Sequence, residues 1–329
     1  MPLQNSPGPD AAAAAGRRGA GIGAIAAWVL TIAFVGYVAW FLVDRQEVFS
    51  QRFAGTWTHV VLLASAVAAS WVVTSLQTLL PLRELGVSVG FWENLMLTVA
   101  AGFGNVLPMR AGTALRLHYI KSVHGVGYLR YGGILGVRSL MLALVAGVLG
   151  LSCAASMAAS SRPVPAAVFV VFAGLLAAGA APLIVPVQRL MPSGGIAGRI
   201  GSEIAAAVRL MRANRRMTAW YIALVAAHFA LLTARLAVAF DVLQARPAAW
   251  TYCFLSPIAT ILSFVNITPG NLGLREWVLG LLTAGLGIDY AVGIFAAAVD
   301  RTISLLMVLP AGGAATVGIV FRLTRAQAR

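Results

Sequence analysis

Six arginines fall inside or beside stretches apolar enough to lie in hydrocarbon: Arg110, Arg116, Arg138, Arg235, Arg275 and Arg301. An arginine at the centre of a membrane span costs roughly 2.5 to 3.5 kcal/mol on insertion scales, so a chain that keeps several there must compensate them. The acids available nearby are Glu93, Asp241, Glu276 and Asp300, and four carboxylates cannot neutralise six guanidinium groups. The excess positive charge suits an anion such as a phosphate head group, which the planar guanidinium grips through paired hydrogen bonds. The plainer alternative is that Arg116 and Arg275 snorkel to the interface while Arg138 and Arg301 cap neighbouring carbonyls.

The arginines sit within a repeated pattern. Asn105-Val106-Leu107-Pro108-Met109-Arg110-Ala111-Gly112 and Asn266-Ile267-Thr268-Pro269-Gly270-Asn271-Leu272-Gly273 place Asn, Pro and Gly at the same spacing. Pro108 and Pro269 remove a backbone donor, and Gly112, Gly270 and Gly273 weaken a helix, so neither stretch stays regularly helical. In lipid such breaks survive only where protein or a water-filled cavity satisfies the freed groups. Each copy leads to a turn signal, Gly125-Val126-Gly127-Tyr128 or Gly285-Leu286-Gly287, and then to a long apolar stretch carrying one arginine, Arg138 or Arg301. Half-helix N-termini near Gly112 and Gly273 would add backbone N–H groups aimed at the same anion.

The elements that must position these residues follow from composition. Of 329 residues 60% are hydrophobic and 10% charged, and the mean hydropathy is +0.87, which excludes an ordinary soluble domain and predicts an all-α polytopic membrane protein. Six apolar runs are long enough to cross a bilayer: Gly21 to Val43, Trp57 to Leu80, Gly132 to Ser156, Pro165 to Val187, Thr218 to Val242 and Tyr290 to Val320. Two further stretches, from Trp92 to Tyr119 and from Trp250 to Leu286, read as pairs of short helices around a polar apex, that is, as re-entrant hairpins. With the N-terminus inside, 14 of the 24 Lys and Arg residues fall on the cytoplasmic side, 4 outside and 6 within the membrane, the bias expected of inner loops. The two hairpins then enter from opposite sides, an inverted repeat of the kind that surrounds a midplane site in transporters. The net charge of +14 follows from this bias and from anionic inner-leaflet lipid, with no need for nucleic acid.

The expected domain organisation is a disordered cytoplasmic stretch over 1–20, a single transmembrane domain over 21–321 and a cytoplasmic tail over 322–329. The domain has halves at about 21–187 and 218–321, joined by a basic cytoplasmic loop, 188–217, that reads as a hinge.

Other chemistry is poorly represented. Cys153 and Cys253 lie in apolar surroundings without a CxxC or histidine partner and read as core residues. His59, His118, His124 and His228 show no metal-ligand spacing, and His118 and His124 do not share a helix face; they read as packing or interface residues. Gly102-x-Gly104 lacks the strand that a nucleotide-binding turn requires. Trp40, Trp57, Trp71, Trp92, Trp220, Trp250 and Trp277 read mostly as an interfacial belt. No catalytic group, metal site or cofactor site stands out, so the chain does not read as an enzyme.

The Asn-x-x-Pro-x-Arg-x-Gly-x-x-x-Arg segment from Asn105 to Arg116, the Pro-Gly-x-Leu-Gly-x-Arg-Glu segment from Pro269 to Glu276 and the isolated arginine of the closing helix resemble the transmembrane, flippase-like region of the lysylphosphatidylglycerol synthase and flippase family. The resemblance covers about Ala24 to Phe321. It implies a multi-pass protein of the bacterial inner membrane, in a family whose branches move aminoacylated phosphatidylglycerol between leaflets or serve hopanoid, isoprenoid or glycolipid metabolism. It points to Asn105, Pro108, Arg110, Gly112, Arg116, Arg138, Pro269, Gly270, Gly273, Arg275, Glu276 and Arg301. Thr113 stands where the family commonly has Glu, which removes a charge that could pair with Arg116. The sequence ends at Arg329 without the soluble aminoacyl-transfer domain of full synthases, so lipid aminoacylation is not expected of these residues.

The expected function is translocation of an anionic, phosphate-bearing or isoprenoid-type lipid. Arg116, Arg138, Arg275 and Arg301 would hold the head group, Glu276 would orient or gate Arg275, and Asn105 and Asn266 would join them in binding the substrate. The alternatives are a non-transporting accessory protein that presents lipid to a partner transferase, and a lipid-modifying enzyme, which would need a nucleophile or metal. Cysteine labelling is expected to place Lys121 and Val187 on the same membrane face; labelling from opposite faces overturns the topology.

Overall fold

Backbone in hydrocarbon has no water to bond to, so it must satisfy its own N–H and C=O groups. The computed structural model describes residues 40, 44, 54–106, 111–160, 166–185, 195–262 and 273–327, and among these the regular structure is helical throughout. In chain order the helices are α1 (Trp57–Glu84), α2 (Phe91–Gly104), α3 (Ala111–His124), α4 (Tyr128–Ala159), α5 (Ala166–Ile184), α6 (Gly195–Ala213), α7 (Arg215–Val242), α8 (Ala249–Leu262), α9 (Leu274–Gly285) and α10 (Tyr290–Gln327). Helices α1, α4, α5, α7 and α10 are long and apolar enough to cross a membrane, and they coincide with five of the six expected spans. The sixth, Gly21 to Val43, lies outside the described residues apart from Trp40, and so do Leu107 to Arg110 and Ser263 to Leu272 at the two apices.

Helices α2, α3 and α8 have 14 residues and α9 has 12, so each is only about 18 to 21 Å long against a hydrocarbon core of about 30 Å. Each is therefore too short to cross the hydrocarbon core alone. Within the first pair the backbones nearly touch: a Cβ on Gly104 would lie 2.5 Å from the Gly112 Cα, and one on Gly112 would collide with the Ala101 carbonyl oxygen. Gly112 thus does more than weaken a helix, because it lets α3 lie directly on α2.

The long helix α10 is the axis on which both hairpins are mounted. Ile319 and Leu323, near its C-terminal end, join a buried cluster with Leu97 and Ala100 of α2 and Tyr119 and Ile120 of α3. Ala291 to Ala297, at its N-terminal end, belong to a second cluster with Phe254, Leu255 and Ala259 of α8 and Leu279 of α9. The end of α2 and the start of α9 both reach inward along α10: a Cβ on Gly102 would meet Val308, and Arg275 bonds to Asp300. The hairpins therefore reach the centre of one helix from its two ends.

The stretch 188–217, expected as a loop, contains helix α6. Its Ala205, Val208 and Met211 pack with Val137 and Met141 of α4 and with Tyr221 and Val225 of α7, while Arg199 and Arg209 are exposed. Arg212 donates to the Pro182 carbonyl at 2.9 Å, and Asn214 caps α7 by accepting from the Met217 N–H at 3.0 Å. A segment packed between α4 and α7 and bonded at its C-terminal end in this way is a brace.

Helices α4 and α5 meet at glycine-sized gaps, as helices in lipid do when close packing replaces a hydrophobic driving force. A Cβ on Gly147 would stand 2.5 Å from the Leu176 nitrogen, and one on Gly179 the same distance from the Leu144 nitrogen, whereas Gly174 faces open space. Gly147→Val and Gly179→Val are each expected to lose about 1 to 3 kcal/mol through forced backbone displacement, read as a lower melting temperature in detergent. Gly174→Ala should melt with the unaltered protein.

Candidate functional site

Several helices border a cavity of about 450 Å³ near the middle of α1 and α10. Its basic side chains come from four helices: Arg138 of α4, Arg235 of α7, Arg275 of α9 and Arg301 of α10. The first apex contributes Asn105, Val106 and Thr113, the second hairpin contributes Thr260 and Arg275, and α1 contributes Ser70, Trp71 and Thr74. Trp71 is therefore a cavity residue at mid-helix. The interfacial pattern holds better for Trp57, Trp92 and Trp220, which are exposed.

The arginines are held by specific partners. Asp300, fully buried, accepts from Arg235 Nε at 2.7 Å on one carboxylate oxygen and from an Arg275 terminal nitrogen at 3.0 Å on the other. Arg235 also donates to Ser304 Oγ at 2.5 Å. Arg138 Nε donates to Gln77 Oε1 at 3.0 Å, and Gln77 in turn donates to the Leu224 carbonyl at 3.2 Å. Among the described residues no carboxylate pairs with Arg138. Of the other acids, Glu93 is engaged with Tyr119 and His124 and Asp241 with His59 and Arg246, both away from the cavity lining. The cavity keeps more guanidinium than carboxylate, which is the condition for drawing in an anion.

Several expected site residues stand elsewhere or act differently. Arg116 is buried but does not line the cavity: one terminal nitrogen donates to Thr78 Oγ1 at 2.6 Å and to Asn94 Oδ1 at 2.8 Å, and its guanidinium lies 5.9 Å from the Tyr131 ring centre. It fastens α3 to α1 and α2 through neutral groups, while its buried Nε has no hydrogen-bond partner among the described residues. Asn105 lines the cavity and also closes the first hairpin, its Oδ1 accepting from the Thr113 N–H and hydroxyl at 3.2 Å each. Glu276 is expected to orient Arg275; instead its Oε2 accepts the Gly273 N–H at 2.8 Å, capping an α9 start where Gly273 takes φ +82, a value that favours glycine. Asn266, Pro108, Arg110, Pro269 and Gly270 lie outside the described residues.

Arg235, Gln77, Ser304 and His228 join the site without having been assigned to it. Among the described residues the buried His228 Nδ1 and Arg275 Nε have no hydrogen-bond partner. The spacing from His228 to Arg235 is two helical turns, which places both on one face of α7, and this was the signal available in the sequence. Breaking the shared pair with Asp300→Ala should cost about 3 to 5 kcal/mol by stranding two buried cations. Truncation at Arg116→Ala should also lower the melting temperature, because it removes the donor to the buried Asn94 Oδ1 and the tie from α3 to α1. Equal melting of either variant and the unaltered protein would remove these roles.

Comparison with curated proteins returns no match. A family model described as the lysylphosphatidylglycerol synthase TM region matches residues 28–312, which include both hairpins and all four cavity arginines. The chain therefore belongs to the family of lysylphosphatidylglycerol synthase transmembrane regions, a lipid-related family of multi-pass membrane proteins.

Proposed function

We propose that the chain is a flippase-like lipid translocase of the bacterial inner membrane, with both termini cytoplasmic. In this reading the phosphate of an anionic lipid head group enters the cavity between the hairpins, and the cavity is exposed to the two sides in turn. The observation that carries it is the convergence of Arg138, Arg235, Arg275 and Arg301 on one space beside both hairpin tips, with Asp300 shared between two of them. A guanidinium can offer a phosphate two parallel donors in a low-dielectric site, where such bonds are strongest. Arg138, held by the neutral Gln77, is the arginine whose charge has most to gain from that phosphate. Arg275 can add its Nε, which has no hydrogen-bond partner among the described residues. The two helix pairs, packed against opposite ends of α10, supply the two elements whose separate movement would open the cavity to one side or the other.

The test is movement of fluorescent phosphatidylglycerol between leaflets of proteoliposomes. Arg275→Ala and Arg301→Ala should each slow it about tenfold or more, since one charge-assisted hydrogen bond is worth about 1.5 to 3 kcal/mol. Movement at the unaltered rate in both variants would end this assignment. A pure protein that moves no lipid but copurifies with a transferase would instead be an accessory that presents lipid to that enzyme.

A further inference from the structure

At the start of α1 a hydroxyl, an imidazole and a carboxylate stand in line. The Thr56 Oγ1 lies 2.8 Å from His59 Nδ1, and His59 Nε2 lies 3.2 Å from Asp241 Oδ2 at the end of α7. The two ring nitrogens thus have their partners on opposite sides of the imidazole. A backbone group fixes the tautomer. The Thr56 N–H can only donate, and it reaches His59 Nδ1 at 3.2 Å, so Nδ1 is the acceptor and Nε2 carries the proton donated to Asp241. The basic nitrogen is then the one beside the Thr56 hydroxyl. Arg246 Nε donates to the other Asp241 oxygen at 2.7 Å, which leaves Oδ2 to His59.

Thr56 is the N-cap of α1, and capping alone asks for no more than an oxygen beside the first turn. It does not ask for an imidazole anchored by a carboxylate 182 residues away in the chain. That third group gives the order nucleophile, base and orienting acid used in acyl transfer. The surroundings suit the same chemistry. Thr56 is exposed, while the His59 side chain is 19% exposed, so the hydroxyl is reachable and the base is largely shielded. Both residues line an open groove of about 460 Å³ whose other walls, including Val60, Leu63, Phe295 and Ile303, are apolar. Among the described residues no lysine or arginine lines it, so it suits an uncharged substrate. The N–H groups of Trp57 and Thr58, in the first turn of α1, have no carbonyl four residues earlier within the helix. Donors of that kind stabilise the oxyanion that forms at a reacting carbonyl.

We propose that Thr56, His59 and Asp241 form an acyl-transfer site that cleaves short-chain, uncharged carboxylic esters. The Thr56 Oγ1 attacks the ester carbonyl while its proton passes to His59 Nδ1, giving a tetrahedral adduct. As the adduct collapses, the bond from the carbonyl carbon to the alcohol oxygen breaks, and the alcohol leaves with the proton from His59. The acyl group is then an ester of Thr56. Water attacks it with His59 again taking the proton, and the return of that proton to Thr56 releases the carboxylic acid. Thr56 and His59 are the catalytic residues; Asp241 is a positioning residue that holds the tautomer. Among the described residues the groove shares no lining residue with the arginine cavity, so this activity does not rest on the translocase reading.

The experiment gives the full-length protein in nanodiscs p-nitrophenyl butyrate and follows release of p-nitrophenolate, with peptide mass spectrometry locating any butyryl group. The unaltered protein should turn the ester over faster than empty nanodiscs and carry the butyryl group on Thr56. Thr56→Asn keeps a favourable N-cap but has no nucleophile, so it should melt with the unaltered protein and lose about a hundredfold or more of the turnover. His59→Gln keeps a hydrogen-bonding side chain without a base and should lose as much. Thr56→Ser should retain turnover. Asp241→Asn should lower kcat and leave KM unchanged, as a residue that acts through His59 does. No turnover above empty nanodiscs overturns the proposal, and so does equal turnover in the Thr56→Asn and His59→Gln proteins, or butyryl groups found only on lysines. Loss of turnover that merely follows a lowered melting temperature in Thr56→Asn would reduce Thr56 to a cap and overturn it as well.

Discussion

The interaction on which the structure most depends is the desolvation of guanidinium groups. Arg138, Arg235, Arg275 and Arg301 are separated by long stretches of chain, yet all four line one space inside a protein that is otherwise largely hydrocarbon. Each is unfavourable there alone. Asp300, Gln77 and Ser304 are arranged as their partners, and the helices that carry these partners are tied together by that requirement. The polar interior is therefore part of what sets helix register.

Mounting the hairpins on α10 solves a second problem. A helix of 12 to 14 residues cannot reach across the bilayer, so its inner end leaves backbone groups at membrane depth that lipid cannot satisfy. The structure brings those ends to the cavity, where Asn105 bonds across the first apex and Glu276 caps the start of α9. Glycines do the same work in packing: Gly104 and Gly112 allow two short helices to touch along their backbones, which gives a hairpin with little side-chain area a firm seat.

Much of this was legible in the sequence because the bilayer enforces it. A run of about 20 apolar residues has few alternatives to a span, and Pro and Gly in the middle of one mark a break. The cost of a charge in lipid made Arg138, Arg275 and Arg301 conspicuous. Arg116 was just as conspicuous, but its partners Thr78 and Asn94 are 38 and 22 residues away, and a neutral pairing at that distance leaves no local pattern. Gln77 was hidden for the same reason. The brace α6 was misread as a loop because its arginines dominate its composition; the spacing of Ala205, Val208 and Met211 was the helical signal. Glu276 follows Arg275 directly, and that adjacency suggested a pair, although neighbouring residues on a helix face different ways. Its contact is with backbone three residues earlier.

Asp300 has a consequence for how such a site responds to its contents. One carboxylate serves two guanidinium groups, on α7 and on α9, from a position on α10. Any anion that draws one of those guanidinium groups toward itself withdraws a contact from Asp300, so occupancy and helix attachment compete for the same donors. Loading the cavity then relaxes the tether that holds the second hairpin to its axis, and emptying it restores that tether. A counter-ion shared in this way makes the site its own latch, with free energy exchanged between ligand and scaffold instead of added to both.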